Sequence, residues 1–234
     1  MSLGGNSISI FENRSTKARI SFADRLDLIT GAQPVPIAVG DIDGDGWKDI
    51  IVGNHLSQTI SIMRNLNRGG PISASSFAQK FDFNVSQYAI GLVLADFDGD
   101  EKLDIAVSYN ISAAGIPSTI SIVKNISTPG SIALAARVDF PAGDNGAAGL
   151  ASGDLNGDGW PDLIVGNHFA DTISVFLNLG QGDIISGKSF ASRMVIKTGA
   201  GATHVRASDL NADNRLDLVV PNGRAASLSI LRNL

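Results

Sequence analysis

The sequence predicts an all-β chain, a β-propeller of four-stranded antiparallel blades with four blade-equivalents in 234 residues. Three observations carry this reading. An acidic loop recurs four times, short β-branched segments flank each copy, and a segment alternating small polar with apolar residues follows. Composition agrees, because 26 glycines and only 6% aromatic residues favour short strands and turns over helices.

The acidic loops are Asp41-Ile-Asp-Gly-Asp-Gly-Trp-Lys-Asp49, Asp96-Phe-Asp-Gly-Asp-Glu-Lys-Leu-Asp104, Asp154-Leu-Asn-Gly-Asp-Gly-Trp-Pro-Asp162 and Asp209-Leu-Asn-Ala-Asp-Asn-Arg-Leu-Asp217. Their first aspartates are spaced by 55, 58 and 55 residues. An apolar stretch such as Ile37–Gly40 or Leu92–Ala95 leads in, and one such as Ile50–Val52 or Leu218–Val220 leads out. That is strand, tight loop, strand. The third strand reads Thr59-Ile-Ser-Ile62, Thr119-Ile-Ser-Ile122, Thr172-Ile-Ser-Val175 and Ser227-Leu-Ser-Ile230, each followed by an asparagine at a fixed distance. The fourth reads Ser76–Phe83, Ala133–Phe140 and Ser189–Ile196. Such a unit cannot bury both of its faces alone and must stack on like units.

Met1-Ser2-Leu3-Gly4-Gly5 reads as an expression leader, with a natural signal sequence expected to be missing. Residues 6–234 then form one propeller domain or propeller fragment, with repeats at about 29–83, 84–140, 141–196 and 197–234. The N-terminus carries a third-strand copy, Ser7–Ile10, and a fourth-strand copy, Ser21–Leu28. Residues 6–28 are therefore expected to supply strands of a closing blade with the C-terminal strands, which avoids open edges.

Several functions are excluded early. With no cysteine, disulfide scaffolds, thiol catalysis and cysteine-ligated metals are ruled out. A net charge of −5 without a Lys/Arg cluster argues against a nucleic-acid platform, and no apolar run is long enough to insert in a membrane as a helix. No G-x-S-x-G elbow or phosphate-binding glycine loop is present, so no catalytic residue is nominated.

The loop pattern D-x-[DN]-x-D-x-x-x-D places oxygen at positions 1, 3, 5 and 9 of a tight turn and adds the position-7 carbonyl, a donor set suited to a hard cation with six to eight ligands. Calcium is the expected cofactor, up to four ions, one per repeat. The candidate ligands are Asp41, Asp43, Asp45, Trp47 and Asp49; Asp96, Asp98, Asp100, Lys102 and Asp104; Asp154, Asn156, Asp158, Trp160 and Asp162; and Asp209, Asn211, Asp213, Arg215 and Asp217. Trp47, Lys102, Trp160 and Arg215 take part through the backbone carbonyl. An EF-hand would need glutamate at position 12, where Val52, Val107, Val165 and Val220 stand. The first loop, with four carboxylates and Gly44 and Gly46 where a turn favours positive φ, is expected to bind tightest. The fourth, with Ala212, Asn214 and Asn211, is expected to bind weakest. Without metal the crowded carboxylates repel, leaving each loop loose or partly protonated. At ten times a Kd on the order of 10⁻⁴ M, each ion would add about 1.4 kcal/mol of stability.

His55 and His168 share one repeat position, in Gly-Asn-His, and read as inherited loop residues; His204 stands apart. Trp47 and Trp160 are expected to pack over the loops.

The stretches Val39–Gly53 and Gly153–Gly166, with the Asn-x-x-x-x-x-Ile-Ser-Val/Ile phrase that follows, resemble the FG-GAP repeat family, also described as VCBS-type repeats, which includes the integrin α-subunit propeller and bacterial surface proteins. The resemblance covers nearly all of residues 6–234. It implies a propeller with calcium between the first and second strands of a blade, acting in adhesion or ligand recognition outside a bacterial cell or at its surface. Such propellers often have seven blades, whereas this chain supplies four: a four-bladed ring, half of an eight-bladed pair, or an excerpt of a longer array. The expected function is a non-catalytic calcium-binding interaction module. The alternative is a carbohydrate-binding or enzyme-associated propeller of a secreted polysaccharide-processing protein, presenting Gly53–His55 and Gly166–His168. A metal-dependent hydrolase or lyase would need an open coordination position. The expected partner is a protein or glycan of unspecified identity, or a second copy of the chain in a homodimer that completes a larger propeller. Nucleic acid and membrane insertion are not expected.

Overall fold

The computed structural model describes residues 5–67, 69–86, 88–109, 118–143 and 146–234, so residues 1–4 of the expected leader lie outside the described residues. The described chain is all-β apart from a single 3₁₀ turn at Ala74–Ser76. A two-stranded sheet, β1 (Ser7–Ile10) with β2 (Leu26–Ile29), comes first. Three four-stranded antiparallel sheets follow, each in simple meander order. The first holds β3 (Pro34–Gly40), β4 (Asp49–Asn54), β5 (Thr59–Met63) and β6 (Phe81–Asn84). The second holds β7 (Ala89–Ala95), β8 (Asp104–Tyr109), β9 (Ser118–Val123) and β10 (Val138–Gly143). The third holds β11 (Ala147–Gly153), β12 (Asp162–Asn167), β13 (Thr172–Phe176) and β14 (Met194–Lys197). Three strands, β15 (Arg206–Ser208), β16 (Asp217–Asn222) and β17 (Ser227–Leu231), form the last sheet. These are the expected blades, in the expected strand order.

Each sheet stacks on the next through side chains that alternate along the strands. In β4, Ile50 and Val52 face the N-terminal pair, where Ile8, Ile10 and Leu28 pack on them, while Ile51 faces the second blade. In β8, Ile105 and Val107 face the first blade and Ala106 the third. In β12, Leu163 and Val165 face the second blade and Ile164 the last sheet. The second strand of every four-stranded blade is thus buried on both faces, which explains its unbroken apolar run after the aspartate. Third strands turn Ile60 and Ile62, Ile120 and Ile122, or Ile173 and Val175 toward the following blade.

Two expectations change. The fourth strands begin later than the sequence pattern suggests, at Phe81, Val138 and Met194. The preceding residues make a single bridge each, Asn65 with Phe77, Asn125 with Leu134 and Asn178 with Phe190, because that apolar side chain turns into the groove between blades. Residues 6–28 do not join the C-terminal strands as a closing blade. Instead β1 pairs with β2 over four residue pairs and the hairpin lies on the first blade, its apolar face covered there by Ile50, Val52 and Met63.

First strands of neighbouring blades approach closely at glycine. A Cβ on Gly91 would lie 2.6 Å from the Ala148 carbonyl oxygen and 2.8 Å from the Leu150 nitrogen, and neither backbone atom can yield. Gly91→Val is therefore expected to destabilise the chain by about 3 kcal/mol or more, measured by urea unfolding.

Candidate metal centres

The first-to-second-strand loops all take one backbone form. Positions 4 and 6 have positive φ in every copy: Gly44 and Gly46, Gly99 and Glu101, Gly157 and Gly159, Ala212 and Asn214. The position-1 carboxylate accepts the N–H groups of the turn it begins: Asp41 from Asp45 and Gly46 at 3.1 and 2.7 Å, and Asp154 from Gly157 and Gly159 at 2.7 and 2.8 Å. Position 5 accepts the position-7 N–H, at 2.9 Å from Trp47 to Asp45 and 3.0 Å from Lys102 to Asp100. Trp160 and Arg215 donate in the same way to Asp158 and Asp213, at 2.9 Å each.

Position 9 is buried and bridges the blade. Asp49 accepts from Ile42 N and Asn65 N at 3.0 and 2.8 Å, and Asp104 from Phe97 N and Asn125 N at 3.1 and 2.8 Å. Asp162 and Asp217 repeat the arrangement with Leu155 and Asn178 and with Leu210 and Asn233. Burial pushes the Asp104 carboxyl up to about 7, and it raises Asp49 and Asp162 as well, with the neighbouring loop carboxylates adding to each rise. Asp209 in the exposed fourth loop is lowered instead, chiefly by the Asn214 N–H.

The carboxylates converge unequally. In the first loop one oxygen each of Asp41, Asp43 and Asp49 lie within 4.8 Å of one another, and in the second the same holds for Asp96, Asp98 and Asp104. Asp98, a member of the second cluster, is buried and its Oδ1 has no hydrogen-bond partner. An all-oxygen donor set with an unsatisfied carboxylate oxygen fits a hard cation. In the third and fourth loops the position-3 amide turns its Nδ2 to the position-5 carboxylate, Asn156 to Asp158 at 2.8 Å and Asn211 to Asp213 at 2.9 Å.

Three further residues were not singled out by the sequence. Lys124 pairs with Asp98 and lies 3.3 Å from Asp100, and Arg64 lies 3.4 Å from Asp43. The corresponding Arg232 lies 3.8 Å from Asp213. They follow the third strand directly, and a cation before the fixed asparagine was the readable signal. The following blade also covers each of the first two loops. Gly130 N donates to Asp43 at 2.9 Å, and Asp183 N donates to the Asp98 carbonyl at 2.7 Å. A cleft of about 480 Å³ is lined by residues of both loops, among them Asp41, Asp43, Asp100 and Glu101, together with Ser127 to Pro129.

The FG-GAP-like repeat pattern matches residues 1–52, 41–107 and 154–220, spans that contain all four acidic loops. The chain belongs to the FG-GAP-like repeat family. Among solved structures, the crystal structure of BBS1N in complex with ARL6DN, soaked with lead, is similar, with a TM-score of 0.52 and 12% sequence identity. The match covers 86% of this chain and 57% of that one, so this chain spans little more than half the length of its structural neighbour. That likeness concerns the fold. No curated protein matches the sequence.

An FG-GAP repeat propeller of this kind is an interaction module, typically non-catalytic and usually extracellular. Among the described residues, no helix is long and apolar enough to cross a membrane. The two Gly-Asn-His turns join second to third strands, at the opposite end of each blade from the acidic loops. His55 stacks on Tyr88 with ring centroids 4.8 Å apart, and His168 meets Phe169 edge-on at the same distance, so each packs on its own neighbour. Trp160 lies against Gly99 of the second loop and against Gly180.

Two outcomes follow from this geometry. Asp104 has a folded-state value near 7 against 3.8 for the free side chain, so its protonation stabilises the metal-free fold at low pH, and that contribution is lost as pH rises through about 7. In chelator the thermal midpoint should fall between about pH 5 and about pH 8, and Asp104→Asn should flatten that slope. Ala212, at φ +61°, is held in the left-handed region. Ala212→Gly should stabilise the chain by about 0.5–1 kcal/mol, read from denaturant midpoints.

Proposed function

We propose that the chain is a non-catalytic, calcium-stapled interaction module that works outside the cell or at its surface, presenting a rigid propeller face to a protein or glycan ligand. The observation that supports it most is the pair of converging carboxylate clusters, with the unsatisfied Asp98 oxygen in the second. Asp41, Asp43 and Asp49 would hold one ion, and Asp96, Asp98 and Asp104 another. Bound metal would supply positive charge where burial and mutual repulsion now disfavour ionised carboxylates. Loops three and four complete the reading as weaker sites, since their Asn156 and Asn211 amides would first have to turn an oxygen inward.

Calcium suits this set because it accepts six to eight oxygens in flexible geometry, whereas magnesium demands a tighter octahedron. Millimolar extracellular calcium fills sites of modest affinity, and that supports placement outside the cytoplasm. Lys124 and Arg64, which pair with Asp98 and Asp43, neutralise part of the carboxylate charge.

Calcium is expected to raise the thermal midpoint by roughly 5–10 °C over chelator, with magnesium giving much less. Asp43→Asn and Asp98→Asn together should remove most of the rise. Equal midpoints in calcium and chelator, with no calcium found by elemental analysis of the purified chain, would overturn the assignment.

A further inference from the structure

The two ends of the row of sheets carry matching unfilled features. At the C-terminal end, the groove between the third blade and the last sheet is open, with a volume of about 290 Å³ and an apolar lining that includes Leu155, Ile196, Leu218 and Leu231. Between complete blades the same groove is filled by the residue that bridges the asparagine after the third strand. Phe190 packs there edge-on against Phe97 and Phe140, centroids 5.9 and 5.5 Å apart, and Leu134 fills the groove between the first and second blades. Leu155 and Ile196 occupy the places of Phe97 and Phe140, but Asn233 has no such bridging residue among the described residues. The outer face of β17 is also bare. Leu228 and Ile230 are 56% and 61% exposed, although their counterparts Ile60 and Ile62 are fully buried by the following blade.

At the N-terminal end lies the missing piece, already folded. Residues 7–28 match residues 119–140 without a gap, down to their hydrogen bonds. Arg14 N donates to Ser21 O and Ala23 N to Glu12 O, as Ile126 N does to Ala133 O and Ala135 N to Lys124 O, all within 2.9–3.0 Å. Ser15 N caps onto Asn13 Oδ1 as Ser127 N does onto Asn125 Oδ1, each at 2.9 Å. Within this segment Ile20 and Phe22 are 81% and 56% exposed, while their counterparts Ile132 and Leu134 pack between blades.

We propose that two copies of this chain associate reciprocally, residues 14–29 of each completing the last sheet of the other, so that eight blades close into one ring. β2 exchanges β1 for β17 of the second copy. The exchange is conservative, since β1 and β17 share the Ser-Ile/Leu-Ser-Ile sequence. Asp27, which accepts from Ser9 at 2.6 Å, then accepts from Ser229. Leu228 and Ile230 replace Ile8 and Ile10 on Ile50, Val52 and Met63, and Phe22 enters the open groove beside Asn233. What is gained is burial of Phe22, Ile20, Leu228 and Ile230, and what is released is a four-residue strand. Charge favours the fit as well. Lys17 and Arg19 stand where Pro129 and Ser131 border Gly130 over the first acidic loop, so in the pair they meet Asp154 and Asp158 of the third. A two-copy ring has a two-fold axis and leaves no bare sheet at either end.

The test is mass in solution, in calcium and in chelator, together with a cross-link in a chain that has no native cysteine. Cross-strand partners have Cα atoms about 4.5–5.5 Å apart, within disulfide reach. In the proposed pair Leu26 faces Ile230, the register that Ile10 holds now. Light scattering should give twice 24.3 kDa, and the Leu26→Cys, Ile230→Cys variant should run as a covalent dimer without reductant. Phe22→Asp, at an exposed site, should keep the circular dichroism of the fold and weaken the dimer by on the order of tenfold or more. A mass of one chain at about 100 μM, a disulfide in the double variant confined within single chains, or an undiminished dimer in Phe22→Asp would each overturn the proposal. None of these outcomes depends on calcium occupying the loops.

Discussion

In each repeat a buried aspartate, Asp49, Asp104, Asp162 or Asp217, gives both carboxylate oxygens to backbone N–H groups, one at the start of the acidic loop and one on the asparagine after the third strand. Burying a carboxylate is costly, and here the cost is offset by two N–H donors that would otherwise be unpaired. The same asparagines then reach the preceding blade. Asn125 Nδ2 donates to Ile42 O at 2.8 Å, Asn178 to Phe97 O at 2.9 Å and Asn233 to Leu155 O at 2.8 Å. One carboxylate therefore fixes the loop, the loop fixes the third strand, and the strand's asparagine sets the spacing of blades.

The converging carboxylates are part of this frame rather than added to it. Position 9 is both the structural bridge and a member of the converging cluster, so whatever neutralises the cluster also relieves the burial of that carboxylate. Arg64 and Lys124 supply part of that neutralisation from the same blade, and the following blade adds Gly130 N and the Asp183 backbone. A loop is thus completed only when the next half-blade is in place. The third loop has Asn233 on its Leu155 carbonyl, but among the described residues no counterpart of Gly130 or Asp183 from its own chain.

Much of this was legible in the sequence because repetition turns weak signals into strong ones. Asp-Gly loops at 55 to 58 residue spacing marked the strand-to-strand turns, and the period-two pattern of Thr59–Ile62 and its copies marked the third strands. Positive φ at positions 4 and 6 followed from the glycines of the first and third loops. Of the five positions read as ligands, the structure brings positions 1, 3 and 9 together in the first two loops, as Asp41, Asp43 and Asp49 and as Asp96, Asp98 and Asp104. Other features left no local mark. That Asn156 and Asn211 turn their Nδ2 atoms to position 5 depends on a rotamer, and the pairing of Lys124 with Asp98 depends on strand register. The fourth strands start late because Phe77, Leu134 and Phe190 are claimed by a groove made from two different blades.

By itself, the sequence determined the repeat, the four strands of a blade, the oxygen-rich loops and the family, since each is written in residues close together along the chain. Only the tertiary structure decided how blades meet: which glycines abut a neighbour's backbone, which asparagines cross between blades, and that β2 sits with β1 rather than β17. β1 and β17 offer nearly the same sequence to the same partner, so local pairing energies are nearly equal, and within one chain β1 takes the place because a short connection joins it to β2, whereas β17 belongs to another sheet.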